Sequence, residues 1–433
     1  MSYACRSCGS THVVEFLDLG SMPVASCLVT DADRRAGRLP RAYPVVAVFC
    51  NDCTLVSITE TVDANELFID NYNYYASFSP SVVRHAEQYA DEMVAKLELG
   101  PRSFVVELAS NDGYQLQFFR QRGIPCVGFE PSPGPARAAQ EKSINTIPEF
   151  FGLAQARACL AGDHGCPRGR HADLIIANNV LAHVRDLNDF LAGVSLLLDD
   201  DGTATFENPW LKLLLDETQF DTIYHEHACY FSTHAVQAAC ARHRLEVADV
   251  RYFDKLHGGM LRWTVRRQGR HAVAPAVAEI LREEQRAGLT TSRRFEEFGA
   301  SVARLKQELV AQLASIKRQG QSLAAYGAVA KGATLTNYLG LTAHDVSKVY
   351  DRNTNKVGAC LPGSLIPVAH ADELAADAPD VVLVLAWNFA DEIVAQQRPY
   401  LEKGGCFLVP IPRPKLINLS TLNGDSRHSS EEL

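Results

Sequence analysis

The chain has 433 residues, enough at roughly 100–200 per domain for two to four domains. Its formal charge of −9 argues against a general nucleic-acid binder, whose contact face would be basic. No apolar run reaches the ~18 residues of a membrane span, and MSYACRSC lacks the basic-then-apolar pattern of a signal peptide. A cytoplasmic protein with no membrane or nucleic-acid partner is the expectation.

Residues 1–72 read as short extended pieces between turns: Val13–Leu17, Tyr43–Phe49 and Thr54–Thr61. Two C-x-x-C pairs lie among them, Cys5/Cys8 and Cys50/Cys53, with 41 residues between the pairs. Each turn of this kind places two sulfurs on one metal, and two turns complete the tetrahedral thiolate shell that structural zinc prefers. The metal closes a long loop of weak β structure that could hardly form a core alone. The other eight cysteines are scattered and read as buried small hydrophobes.

Residues 73–300 alternate buried apolar runs with helical patterns. The runs are Phe104–Leu108, Cys126–Glu130, Asp173–Asn178 and Gly202–Glu207, which predict a parallel, doubly wound α/β sheet. The first run enters a turn of small residues, Ala109-Ser110-Asn111-Asp112-Gly113, and Glu130 ends the second run, 23 residues after Glu107. A carboxylate there accepts the hydroxyls of a ribose. A dinucleotide fingerprint needs G-x-G-x-x-G, so that backbone can approach a pyrophosphate. Acids flank this turn instead, and they suit a cationic sulfonium with an amino-acid tail: S-adenosylmethionine (SAM). Glu107, Ala109, Ser110, Asn111, Asp112 and Glu130 are its candidate contacts. Asn178, Asn179 and His183 fall at the carboxyl end of the third run, where ligands of such sheets sit.

Tyr224-His225-Glu226-His227 lacks the H-E-x-x-H spacing of a zincin. Two imidazoles that titrate near neutrality, with Glu226 to tune one of them, point to acid–base chemistry or to a structural hydrogen-bond cluster. Tyr72, Tyr74 and Tyr75 lie at the junction of the first two units, where pockets form, and His257-Gly258-Gly259 precedes a strand.

A charged helical stretch, about Phe295–Gln319, leads to a third α/β unit over 301–416, with strands in Leu323–Val329, Val346–Asp351, Val381–Trp387 and Gly405–Pro412. Its Tyr326–Gly332 turn is neither a Walker loop nor a dinucleotide fingerprint. Lys331 is placed there for an anion or sugar-nucleotide contact, although a structural lid is an equal reading. Residues 417–433 are polar and read as a disordered tail.

In this order the motifs C-x-x-C…C-x-x-C, YNYYASFS, ELASNDG, NNVLAHV, FDTIYHEH-x-x-YFS, HGG, YGAVAKGATLTN, DRNTNKVGACLPG and VPIP are specific. Across nearly the whole chain, the sequence resembles the three-domain sugar C-methyltransferases of deoxysugar and antibiotic biosynthesis, of the tylosin mycarose, novobiocin noviose and tetronitrose type. The resemblance implies a zinc-binding N-terminal domain, a class I SAM methyltransferase domain and a Rossmann-like C-terminal domain. It implies methylation of a carbon beside the 4-keto group of a nucleotide-linked, dTDP-type deoxysugar. His227 would be the general base, with Tyr224, Glu226 and His183 around the sugar. Tyr74 would come from the junction, with Tyr72 as the fallback. Glu130 would hold the adenosine ribose. Three departures stand out: Ala109 replaces the turn's usual glycine, at little cost if its φ is negative; Met260 follows HGG; and KGATLTN replaces KGNTLLN. The competing readings are a nicotinamide-dependent sugar oxidoreductase using the third unit, a silent zinc-anchored binding protein, and O- or N-methylation of the same sugar class. Oligomeric state, monomer or homodimer, stays open.

Overall fold

A computed structural model describes residues 3–60, 62–68, 74–254 and 259–422. Strands β1 (Val13–Pro23), β2 (Ala42–Cys50) and β3 (Val56–Ile58) run antiparallel in the first sheet. The second sheet is built from β4 (Val105–Leu108), β5 (Cys126–Phe129), β6 (Thr146–Ile147), β7 (Ala172–Asn178) and β8 (Leu198–Pro209), all parallel. β4 is buried along its whole length, as expected of a strand covered on both faces. Next, β9 (Cys229–Tyr230) leaves the second sheet and pairs with β3 as the fourth strand of the first.

β10 (Leu245–Phe253) and β11 (Met260–Arg267) complete the second sheet, in the order β10-β11-β8-β7-β4-β5-β6. β11 is antiparallel to both its neighbours, so the sheet is mixed where an all-parallel one was expected. The connection from Phe253 to Met260 is too short for the crossover that a parallel pair needs.

The third sheet comprises β12 (Leu323–Tyr326), β13 (Val349–Asp351), β14 (Val368–His370), β15 (Val381–Val384), β16 (Cys406–Val409) and β17 (Lys415–Ile417), in the order β14-β13-β12-β15-β16-β17. Order continues past the expected end at 416: Ile417 pairs with Phe407, and Asn418 caps a helical turn through its bonds to Ser420 and Thr421. Residues 423–433 of the expected tail lie outside the described residues.

The helix Ser292–Arg318 joins these layers. Its buried residues, Phe295, Phe298, Val302, Leu305, Leu309, Leu313 and Ile316, recur every three or four positions and make one apolar stripe. Phe295 stacks on Phe49 of β2 with ring centroids 4.4 Å apart, and one apolar core runs from the first sheet through this helix to the third. Among the described residues no helix is long and apolar enough to cross a membrane.

Candidate functional site

The four paired cysteines converge. Cys5 and Cys53 sulfurs lie 3.5 Å apart, as do those of Cys8 and Cys50, and all four fall within 4.8 Å of one another. Thiolates at 2.3 Å around a tetrahedral zinc are separated by roughly 3.8 Å, so the cluster has the size of the metal shell. The amides of Ser7 and Cys8 are directed at the Cys5 sulfur, and those of Asp52 and Cys53 at the Cys50 sulfur, which favours the charged thiolates a metal requires. Four thiolates leave no open position, so the centre is structural.

In the second sheet, β4 delivers the buried Glu107 and ends in a tight turn. Three of its residues adopt left-handed backbone: Ala109 at φ +52°, Asn111 at +50° and Gly113 at +74°. The condition under which Ala109 would cost little, a negative φ, is therefore not met. The turn imposes a conformation that costs a residue with a Cβ about 1–2 kcal/mol. At Gly113 a Cβ would come within 2.3 Å of the Ile144 side-chain tip, so any other residue there has to displace it in addition to taking left-handed backbone. Glu130, at the end of β5, braces the turn: its two oxygens accept the amides of Asn111 at 2.9 Å and Ser132 at 2.8 Å. The Ser132 side chain adds a third hydrogen bond, and the carboxylate keeps acceptor capacity for a ribose hydroxyl.

Several buried polar atoms around this turn have no partner among the described residues: Glu107 Oε2, Ser110 Oγ, Asp112 Oδ1, Gln115 Nε2 and Asn178 Oδ1. Burial, together with the charges of Glu130 and Asp112, pushes the Glu107 carboxyl well above its ordinary range. Leaving such groups unpaired is costly, and a ligand with a sulfonium, an ammonium and a carboxylate satisfies them together. The residues fit SAM.

A narrow cleft continues from here at the carboxyl ends of β4, β7 and β8, lined by His85, Gln115, Asn178, Asn179 and Glu207. Asn179 is left-handed (φ +57°) and its amide donates to the Glu207 carbonyl at 2.7 Å. Glu207 bonds His85 at 3.0 Å and Arg262 at 2.5 Å. His85, Gln115, Glu207 and Arg262 were not read from the sequence. The one available signal was an acid, Glu207, closing the otherwise uncharged run Gly202–Glu207.

Residues Tyr74–Phe78 strap the turn. Asn111 accepts the Ala76 amide at 2.8 Å and donates to the Tyr74 carbonyl at 3.0 Å, while the Ser77 hydroxyl bonds Asp112. The structure thus ties the Tyr74 backbone to the cofactor turn and leaves the residue 50% exposed. Tyr72, His257 and Gly258 lie outside the described residues.

The histidines gather on the segment between Phe220 and Tyr230. Thr222's carbonyl lies 3.0 Å from His227 Nδ1, and a carbonyl only accepts, so Nδ1 carries the proton. Nε2 is left with the lone pair and accepts from the Tyr224 hydroxyl at 3.2 Å, the two rings stacked 4.3 Å apart. His183 is held the same way, its Nδ1 donating to the Glu226 carbonyl at 2.9 Å, with its ring 4.9 Å from that of His227. Burial, then the neighbouring His183, lowers the His227 pKa to about 3, and burial lowers that of His183 as well. Both imidazoles are neutral at neutral pH.

The Glu226 carboxylate was expected to tune an imidazole: burial lowers the pKa of His225 and of His183, and the Glu226 charge opposes it at both. Its Oε1 also accepts the Ser26 amide of the N-terminal region at 2.9 Å, and its Oε2 is buried without a partner among the described residues. One expectation here is corrected. His225 is fully buried, its Nε2 donating toward the carbonyls of Tyr43 and Pro44 on β2, so it anchors the segment rather than facing a ligand.

The third sheet reaches the same segment. Trp387 Nε1 donates to Asp221 at 2.7 Å, and Lys331 Nζ donates to Asn388 at 3.0 Å while lying 4.6 Å over the Trp387 ring. Burial raises the Asp221 pKa to about 6, with the Lys331 charge opposing it. Elsewhere in that sheet, Asp351 accepts the amides of Ala328 at 2.7 Å and Asn353 at 2.8 Å. Lys356 fills the adjoining space, bonding the Ala328 carbonyl at 2.8 Å.

Comparison with known proteins matches three family models to successive parts of the chain: "Putative zinc binding domain" over residues 5–68, "Methyltransferase domain" over 82–250 and "C-methyltransferase C-terminal domain" over 255–412. C-methyltransferase NovU of Streptomyces niveus is 35% identical over 414 residues, 96% of each chain. Among solved structures, magnesium protoporphyrin IX methyltransferase of Synechocystis PCC 6803, with bound SAH, is similar over 43% of this chain and 83% of its own, at 15% identity and a TM-score of 0.33. A SAM-dependent methyltransferase of Clostridium acetobutylicum is similar over 43% of this chain and 92% of its own, at 13% identity and a TM-score of 0.34. Those two likenesses are too weak to carry any argument. The near full-length identity to NovU and the three successive family models are decisive: the chain belongs to the C-methyltransferase family, as a SAM-dependent enzyme with a structural zinc centre.

Proposed function

We propose that the enzyme methylates a carbon beside the keto group of a nucleotide-linked 4-keto-deoxysugar, dTDP-linked in the first instance. The observation that carries this reading is His227. It is a half-buried, neutral imidazole whose Nδ1–H is fixed by Thr222, so that Nε2 carries the basic lone pair, which the Tyr224 hydroxyl meets. Carbon beside a ketone is acidified because the resulting enolate spreads its charge onto oxygen. His227 takes that proton, and the Tyr224 hydroxyl, already directed at Nε2, is placed to meet the substrate there. His183, neutral and with its own Nε2 free of the Glu226 bond, lines the same pocket. Glu226 and Tyr74 complete the sugar's surroundings.

Glu107, Ser110, Asn111, Asp112, Glu130, Asn178 and Asn179 hold the cofactor, with Ala109 shaping the turn. SAM, when bound, supplies the methyl group: the carbon–carbon bond forms as the methyl–sulfur bond breaks, and neutral S-adenosylhomocysteine leaves. Positioning of the two partners by the chain supplies the rest of the rate.

The test is incubation with SAM and a panel of nucleotide-linked 4-ketosugars, with product mass and the NMR position of the methyl as readouts. A His227→Asn variant that still binds SAM should lose about 10²–10⁴-fold in kcat, the usual contribution of a general base. Wild-type turnover in that variant, or a methyl on oxygen or nitrogen, overturns the reading. Because His227 is depressed to about 3, the base stays unprotonated through mildly acid conditions. The kcat/KM profile should therefore show no bend near the ordinary imidazole value of about 6.5. A bend there would give the proton to another group.

A further inference from the structure

Lys331 has no place in the chemistry described so far, yet its surroundings are those of a built site. It sits in the first turn of the helix Ala330–Leu339, at the carboxyl end of β12. Strand order in the third sheet reverses between β12 and β15, and ligands of such sheets sit outside the strand ends at that point. In this protein the reversal point faces the segment that carries His227. Phe220 packs on Tyr338 of the same helix at 5.1 Å, and Trp387, just after β15, holds Asp221.

The ammonium is held mainly by uncharged groups: the Asn388 amide oxygen and the face of Trp387. Asp221 is the nearby counter-charge, and its second oxygen, Oδ1, is buried without a partner among the described residues. Asp221 adjoins Thr222, whose carbonyl fixes His227 Nδ1, so the lysine is held against the segment that mounts the base, and its charge adds to the lowering of the His227 pKa. A cation held against the segment of a neutral base, and only partly compensated, is arranged for an anion that appears during the reaction.

The proposed reaction makes one. As the carbon–hydrogen bond breaks, the proton passes to His227 Nε2 and the electron pair moves onto the keto oxygen. We propose that Lys331 is a catalytic cation that stabilises this enolate oxygen, with Asn388, Trp387 and Asp221 positioning its ammonium. This rests on the substrate reading given above.

Two rates separate the possibilities in the full-length, zinc-loaded enzyme. One is exchange of the ketosugar's acidic hydrogen with D2O in the presence of S-adenosylhomocysteine, where no methyl can be transferred. The other is steady-state methylation. Lys331→Met should lower both the exchange rate and kcat by about 10²–10³-fold, the range for losing one oxyanion donor. SAM affinity by calorimetry and the KM for the sugar should hold steady. Lys331→Arg should restore part of the loss. Asn388→Ala, which keeps the lysine but frees it, should lose less in the same direction, and it decides the matter if Lys331→Met no longer binds SAM. A raised KM with exchange and kcat intact makes Lys331 a contact to the substrate's phosphates and overturns the proposal. If wild type exchanges and methylates and Lys331→Met matches it, the lysine assignment alone falls. If wild type does neither with any ketosugar, the substrate reading falls and takes this proposal with it.

Discussion

In the second sheet Glu130 accepts amide hydrogens from Asn111 and from Ser132, two residues on; in the third, Asp351 accepts them from Ala328 and from Asn353, also two residues on. Each acid ends the strand beside the first strand of its unit, and each braces the turn that follows that first strand. The turns even share a left-handed residue at the same place, Ala109 at +52° and Gly327 at +97°. What surrounds the brace differs. The second sheet has Glu107 two residues before its left-handed position, where the third has Ala325, and it leaves Glu107, Ser110 and Asp112 with unsatisfied atoms. The third sheet closes the equivalent space with its own Lys356, 3.6 Å from Asp351. A shared backbone device therefore makes a ligand site only where side chains are left wanting partners. This weighs against a nicotinamide-dependent oxidoreductase working from the third unit.

Substitutions at matched positions sharpen that contrast. Gly327→Ala should be the most damaging. Its Cβ would sit 2.7 Å from Ala386 Cβ in left-handed backbone, so the expected loss is about 2–5 kcal/mol, from overpacking and strain, read by denaturant unfolding. Glu107→Gln should come next: SAM affinity by calorimetry falls roughly 10–100-fold, the range for a hydrogen bond to a charged group. Asp351→Asn, at the third-sheet position matched to Glu130, should leave SAM affinity unchanged. In the wild type, SAM affinity should strengthen as pH rises, because Glu107 is raised above its ordinary range and a bound cation favours its ionised form. The mildest effect is Ala109→Gly, which relieves backbone strain but adds freedom to the unfolded chain, for a net gain of up to about 1 kcal/mol in stability. A loss at that position would mean that the alanine methyl contributes packing that outweighs its strain.

The sequence made the local parts legible and hid the long-range ones. The cysteine pairs, the apolar runs of β4, β5 and β7, and the Tyr224–His227 motif all carry their signal within a few residues. The left-handed φ at Ala109 was not legible, because residue type suggests one backbone region while the turn demands another. The Glu226–Ser26 bond was hidden because its partners lie 200 residues apart. The Trp387–Asp221 bond spans 166 residues, and neither half advertises the other. β9 is only two residues long, too short for any alternation to show.

That short strand has a consequence of its own. Two residues past His227 the chain becomes an edge of the first sheet, with Cys229 opposite Ser57 and Tyr230 opposite Val56. Next along that sheet, the turn between β2 and β3 carries Cys50 and Cys53. Removing zinc loosens the rail on which the proposed base is mounted, without touching either substrate pocket. A chelator should behave as a slow, noncompetitive inhibitor whose effect tracks metal loss, measured by atomic absorption alongside turnover. A fully active, zinc-free enzyme would break the link. If the link holds, the enzyme's activity reports its metal content as directly as its substrate supply.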